Sequence, residues 1–210
     1  MDPLKYPGII PTAMPDPKRL STPFLLAAYA NGYFPMPDET DEIRWYRPDP
    51  RAILPLNGFH CSRSLARKIK RKTFEVTYDK GFRDVMKACA ARAETWINDE
   101  FLRAYGRLHD LGQAHSVEVW SDKKLVGGVY GVQLNGAFFA ESKFHTARDA
   151  SKIALYHLVE HLNEGGFKLL EVQFLTPHLA SLGAIEISDR EYQQKLKKAL
   201  LVQASFKCAK

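Results

Sequence analysis

The 210-residue sequence has no apolar run near the ~20 residues that a membrane-spanning helix needs, so no membrane partner is expected. Its first residues, Met1-Asp2-Pro3-Leu4-Lys5-Tyr6-Pro7, lack the basic and apolar regions of a secretory signal, and a cytoplasmic location is expected. Cysteine is scarce. Cys61, Cys89 and Cys208 are odd in number and widely spaced, form no metal pattern, and fit a reducing compartment. There is no Walker phosphate loop, no Gly-x-Gly-x-x-Gly after a strand and no His-Glu-x-x-His. No Ser-His-Asp arrangement can be assembled. His157 and His161 lie four apart on a helical pattern but have no third ligand, and read as two surface histidines. Neither a metal nor a cofactor is expected. Internal repeats and low-complexity tracts are also missing.

An apolar content of 45% and an aromatic content of 11% indicate a packed core. The net charge of +6 is uneven: residues 1–60 hold 6 Lys+Arg against 7 Asp+Glu, and the rest hold 24 against 17. A basic main body suggests an anionic partner, either nucleic acid or a phosphorylated ligand. The length allows one large domain, or a medium domain with a small lobe, which would be 1–60 before a main domain at 61–210.

Residues 1–20 are rich in proline and read as extended. Thr22-Pro23 predicts a helix start with Thr22 as N-cap, and Gly32 the stop. The stretch from Gly32 to Arg51 is too rich in proline for regular structure and too aromatic for a floppy linker. Its aromatics either wall a pocket or stack on bases, or they form a small satellite core. Ile53–Leu56 is a short extended join. Ser62 predicts the cap of a helix with Leu65 and Ile69 on its apolar side. Arg63, Arg67, Lys68, Lys70, Arg71 and Lys72 crowd that segment with no acid between them, as a contact to a phosphate backbone would require. A strand is expected at Phe74–Tyr78. Two helices should follow: one through Phe82, Val85, Met86 and Cys89, the other capped by Asn98 and ended by Gly112. A half-buried strand at Ser116–Trp120 and a strand from Leu125 to Val132 then begin a meander. Gly127-Gly128 should mark a close approach of a ligand or a neighbouring strand.

The chain is organised around Ala137–Phe174. Two apolar runs, Ala137–Ser142 and Leu169–Phe174, read as strands, with a helix between them closed by Gly165-Gly166 and opened by a Thr146-x-x-Asp149 capping box. Strand, helix and strand in this order form a parallel crossover, with ligand clefts at the strand C-termini. Glu141, Glu171 and Gln173 interrupt the apolar runs. A carboxylate buried without a partner costs several kcal/mol or shifts its pKa. These residues therefore either face water at an edge or belong to a polar site set into the sheet. The second reading puts Glu141 and Gln173 at one cleft, with Glu171 on the same face as Gln173. The tail should hold a turn at Pro177-His178, an extended Ala184–Ile187, and a last helix through Tyr192, Leu196 and Leu200.

A meander followed by a crossover resembles the α+β GNAT-like acyltransferase fold. The segment Phe144–Ser151 has none of the glycines with which acetyl-CoA enzymes of that fold cradle pyrophosphate, which disfavours free acetyl-CoA as donor. The sequence further resembles the leucyl/phenylalanyl-tRNA–protein transferase family. The segments that carry the resemblance include Gly32-Tyr33-Phe34-Pro35, Trp45 through Pro48-Asp49-Pro50-Arg51, Ser62-Arg63-Ser64, and Glu94-Thr95-Trp96-Ile97. They continue with Ala114 to Trp120, Leu125 to Val132, Phe138 to Ser142, Ala150-Ser151-Lys152 and Leu179 to Ala184. The resemblance implies a small lobe on a GNAT-like catalytic domain. It also implies transfer of Leu or Phe from Leu-tRNA or Phe-tRNA to proteins with an N-terminal Arg or Lys, marking them for degradation through the N-degron pathway. The tRNA ester is already activated, so no metal or nucleotide is required.

The same resemblance assigns capture of the acceptor amine to the carbonyl oxygen of Gln173, polarised by Glu171; Glu141 is suited to bind the ribose hydroxyl or the amine near the reacting ester. The leucyl side chain needs an apolar hole, for which Val129, Phe138 and Phe144 are the candidate lining. Trp45, Tyr46 and Trp96 would contact the 3′-terminal adenosine, and the Arg63–Lys72 segment the tRNA backbone. Three positions depart from the family pattern: Glu171 stands where Asp is usual, Ala140 where Gly is, and Lys143 where Met is. The alternatives are another GNAT-like acyltransferase, using CoA or a Fem-type aminoacyl-tRNA donor, and a non-catalytic RNA-binding module.

Overall fold

The computed structural model describes residues 20–206 except Glu39 and Glu94. The expectation for the proline-rich start, Cys208 and the Glu94 of the Glu94–Ile97 motif lie outside the described residues. In chain order the elements are α1 (Thr22–Ala30), β1 (Phe34–Pro37), β2 (Ile43–Tyr46), β3 (Arg51–Ile53), α2 (Arg63–Lys70), β4 (Glu75–Tyr78), α3 (Phe82–Ala90) and α4 (Asp99–Asp110). Then follow β5 (Ala114–Ser121), β6 (Lys124–Leu134), β7 (Ala137–His145), α5 (Ala150–Glu164), β8 (Leu169–Gln173), α6 (Pro177–Ala180), β9 (Ile185–Ile187) and α7 (Asp189–Leu200). No helix among the described residues is long and apolar enough to cross a membrane.

Seven strands form one mixed sheet in the order β4-β5-β6-β7-β8-β3-β9. Every neighbouring pair is antiparallel except β7 and β8, which α5 links as a parallel crossover. Helices cover both faces, and adjacent residues on a strand enter opposite cores. Phe139 and Tyr130 join a core with Leu25, Phe82, Phe101 and Leu196. Phe138 and Val129 join another with Leu65, Leu158 and Leu179. A sheet covered on both faces favours strands that are apolar throughout, which is why β5 is buried along most of its length rather than half-buried as its alternation suggested. Gly127 and Gly128 do mark close approach, but to packing elements. A Cβ on Gly127 would stand 2.6 Å from the Ala150 Cβ of α5, and one on Gly128 2.9 Å from Val85 of α3.

Capping follows the sequence in part. Ser62 accepts from the Leu65 N–H, Asn98 accepts from Glu100 and Phe101, and Gly32 ends α1 at φ +81°. The N-cap of α1 is Ser21 rather than Thr22. The expected Thr146 capping box does not form. α5 starts one residue after Asp149, whose carboxylate instead holds Lys68 at 2.6 Å.

The proline-rich aromatic stretch is more regular than expected, because β1 and β2 pair as an antiparallel hairpin separate from the main sheet. A two-stranded ribbon consists of edge strands, where a proline that cannot donate to the ladder is tolerated. The hairpin packs on α1, where Phe24 meets Trp45 edge-on at 4.7 Å, and both reach the main core, Tyr29 meeting Phe139 at 4.9 Å and Phe34 meeting Phe174 at 5.7 Å. β3, expected to be a join, is an interior strand between β8 and β9. The division at residue 60 thus falls beyond a strand that is integral to the large sheet.

Candidate active site

The β7–β8 ladder ends early. Its last pair is Phe139 with Glu171, after which β7 stays on β6 while β8 continues on β3. A cavity of about 530 Å³ lies at this divergence, lined by residues 140–143 of β7 and 172–174 from the end of β8. It sits where open sheets hold ligands, beyond the C-terminal end of a parallel strand pair. Met36, Asp38 and Trp96 wall it from the hairpin and the approach to α4.

Glu141 reaches this cavity because of a bulge. Gly131 pairs with Ala140 and Tyr130 with Ser142, leaving Glu141 as the extra residue. Its side chain is 5% exposed. Tyr29 of α1 donates to Oε1 at 2.7 Å, and Tyr105 of α4 lies 3.3 Å from Oε2. Burial, followed by the nearby Glu141 charge, raises both phenols well above their ordinary pKa, so they remain donors. Burial pushes the Glu141 carboxyl up to about 8 against the pull of Tyr29, while the Glu171 charge adds to the rise and the Gln173 amide and Tyr105 oppose it. A carboxyl that titrates near neutrality can accept and return a proton.

Gln173 terminates β8 with φ +63° and is the one buried non-glycine residue among the described residues with a left-handed backbone. That conformation is unfavourable for a side chain with a Cβ and often marks a functional position. It is held by Glu171, whose Oε1 accepts from the Gln173 backbone N–H at 2.6 Å and from Arg51 Nε at 2.8 Å. The Gln173 Nε2 is buried and makes no hydrogen bond of ordinary geometry among the described residues, although it stands near enough to Glu141 to pull on that carboxyl. A buried donor left unsatisfied in a cavity is a place for a ligand acceptor.

Glu171 and Arg51 are both 0% exposed. Burial works against the Arg51 charge, but Glu171, Tyr192 and Glu141 outweigh it, and its pKa is raised. Arg51 also donates to the Gly32 carbonyl at 2.9 Å, and its guanidinium stands 4.5 Å from the Tyr192 ring centroid and 4.8 Å from that of Phe34. This arrangement corrects the expectation for Glu171. It is absent from the cavity wall and meets Gln173 through the backbone rather than the amide. The relay from Glu171 to the Gln173 carbonyl is not present. Glu171 instead positions the turn that carries Gln173.

Among the expected side-chain pocket residues, Val129 lines the cavity, while Phe138 and Phe144 do not. Phe138 is 1% exposed and stacks on Phe206 at 5.7 Å, and Phe144 is packed into the other core. The apolar wall comes from Val129, Leu155, Val172 and Leu179. Trp96 lines the cavity. Trp45 and Tyr46, 2% and 5% exposed, do not; they are core residues of the hairpin, and a base cannot stack on a ring face already covered by protein. Arg63, Arg67, Lys70, Arg71 and Lys72 lie exposed on or just after α2, whereas Lys68 is tied to Asp149, an acid supplied from 81 positions away. His161 is buried rather than superficial, bonded to the Phe206 carbonyl and stacked on Tyr78. Among the described residues no group of three or more His, Cys, Asp or Glu stands close enough to hold a metal ion.

Sequence reasoning missed Tyr29, Tyr105 and Arg51 as parts of the site. The tyrosines read as apolar-face residues of their helices. Arg51 closes the motif Pro48-Asp49-Pro50-Arg51, and an arginine leading into the apolar run Ala52-Ile53-Leu54 was a usable signal.

A family model described as leucyl/phenylalanyl-tRNA protein transferase matches residues 53–197, and the model for the N-terminal domain of that protein matches residues 18–49. A protein of Herpetosiphon aurantiacus named leucyl/phenylalanyl-tRNA–protein transferase is 56% identical over 190 residues, which cover 90% of this chain and 99% of that one. One of the same name from Ruegeria sp. (strain TM1040) is 54% identical over 183 residues, 86% of this chain and 87% of that one. A solved ribosomal-protein-alanine N-acetyltransferase from Brucella melitensis biovar Abortus 2308 overlaps 59% of this chain and 89% of its own, with 15% identity and a TM-score of 0.39.

Proposed function

The chain belongs to the leucyl/phenylalanyl-tRNA–protein transferase family and is an aminoacyltransferase, and from that premise we propose that it moves Leu or Phe from aminoacyl-tRNA to the N-terminal Arg or Lys of acceptor proteins. The transfer marks those proteins for degradation through the N-degron pathway and takes place in the cytoplasm. The observation that carries the reading is the meeting of Glu141 and Gln173 at one cavity wide enough for an aminoacyl ester.

An α-ammonium has an ordinary pKa near 7.7–8.0 and cannot attack while protonated. Glu141, at about 8, is matched to take that proton, with Tyr29 and Tyr105 stabilising the carboxylate that does so. The amine nitrogen then bonds to the ester carbon, the carbon–oxygen bond to the 3′-ribose breaks, and the second proton shed by nitrogen goes to the leaving oxygen. Glu141 returns its own proton to solvent when the product leaves. Gln173 positions the reactants, and its unpartnered Nε2 is a donor available to the developing oxyanion. Val129, Leu155, Val172 and Leu179 receive the aminoacyl side chain, and Trp96 the terminal adenosine.

The test mixes the purified chain with Leu-tRNA and an Arg-starting peptide, and separately with acetyl-CoA and the same peptide. Leucyl-peptide should form in the first mixture alone. Gln173→Ala and Glu141→Gln should each slow it by at least about 100-fold. Acetylation without leucyl transfer refutes the proposal.

A further inference from the structure

We propose that Lys143 determines which aminoacyl side chain is preferred, by placing an unpaired ammonium in the wall of the apolar pocket so that an aromatic donor is favoured over an aliphatic one. The inference rests on the reading above, since it concerns the donor of that transfer.

Lys143 lies directly opposite Val129 across the β6–β7 ladder, and both line the cavity with Leu155, Val172 and Leu179. It therefore shares a wall of the cavity with Val129. Among the described residues Lys143 has no hydrogen bond and no ion pair. Its charged surroundings are cationic: Arg92 acts on it directly, and it acts on His178 together with Lys152 and His145. The acid closest in sequence, Glu141, is turned to Tyr29 and Tyr105. Asp149 is occupied by Lys68 at 2.6 Å and Lys152 at 3.6 Å.

A partly buried ammonium without an anion gains from whatever electron-rich surface enters beside it. The π-face of a phenylalanyl side chain is such a surface, and a leucyl side chain is not. A cationic donor side chain would meet like charge in a low-dielectric pocket and is excluded. Preference for Phe over Leu therefore depends on the Lys143 charge, while acceptance of an apolar residue in general depends on the aliphatic wall.

The experiment lets equal amounts of Phe-tRNA and Leu-tRNA compete for one Arg-starting peptide at neutral pH, and reads the ratio of the two products. Both donors share the same enzyme molecules, so the ratio is independent of how much protein is folded. Lys143→Met and Lys143→Gln should each lower the Phe-to-Leu ratio by about fivefold, and Lys143→Arg, which keeps the cation, should hold it within about twofold of the unaltered chain. A ratio unchanged or raised in both neutral variants overturns the proposal. If the unaltered chain transfers neither residue, the transferase reading falls instead.

Discussion

Replacing Arg51 by Met tests how the site is held. Arg51 and Glu171 form an ion pair with both side chains 0% exposed, and the same Glu171 oxygen holds the Gln173 backbone. Removing the arginine leaves a buried carboxylate with neither its cation nor a route to water. Its second oxygen, Oε2, already has no partner among the described residues. Breaking a buried pair from one side costs about 3–5 kcal/mol, a large part of an ordinary domain's stability of about 5–15 kcal/mol. With a urea slope of about 2–3 kcal/mol/M, the midpoint should fall by about 1–2 M. Adding Glu171→Met to Arg51→Met removes the stranded charge and should recover at least about half of that loss. The assay is urea unfolding followed by the fluorescence of the 3 tryptophans, with leucyl transfer measured in parallel. Transfer should remain impaired in the double variant, because Gln173 has lost its anchor even where stability returns. A midpoint shift under about 0.3 M in the single variant, or a double variant as damaged as the sum of the singles, refutes the account.

Two other predictions concern pH and salt. The Glu141 carboxyl titrates at about 8 in the folded chain and at about 4.3 when unfolded, so between those values the folded state holds an extra proton, and stability should fall as pH rises through that window. Urea midpoints at pH 5 and pH 8 should show this fall in the unaltered chain and a smaller one in Glu141→Gln; equal falls refute the assignment. Replacing Arg67, Lys70 and Arg71 by Ala should weaken tRNA binding and flatten its dependence on salt by about 0.7–0.9 for each phosphate no longer neutralised, as read by filter binding across a salt series. An unaltered slope would remove α2 from the tRNA interface.

Much of the architecture was legible in local pattern. Ser62, Asn98 and Gly32 are short-range signals, since a cap is made between residues two or three apart and no distant group competes for these. The parallel crossover at Ala137–Phe174 followed from two apolar runs spaced by a helix. Glu141 and Gln173 could be singled out because a polar group in an otherwise apolar strand demands an explanation. Where the reading failed, the deciding contact was distant. Thr146 looks like a cap, but Asp149 has a partner in Lys68 and α5 begins after it. Trp45 and Tyr46 look like binding aromatics, but α1 and the main core cover them.

From the residues alone came the order of the strands and helices around the crossover, the family, and the identity of two polar groups at its rim. The family rests on the resemblance of whole segments, and the rest on periodicity, chain-local hydrogen bonding and side-chain chemistry, which are carried by neighbouring positions. Tertiary structure decided what each polar group does. A bulge leaves Glu141 unpaired, and the tyrosines that hold it come from α1 and α4, 112 and 36 positions away. The arginine that turns Glu171 from a reacting group into an anchor lies 120 positions from it. Burial and electrostatics act through space, and only the packed chain specifies which charges share a low-dielectric interior.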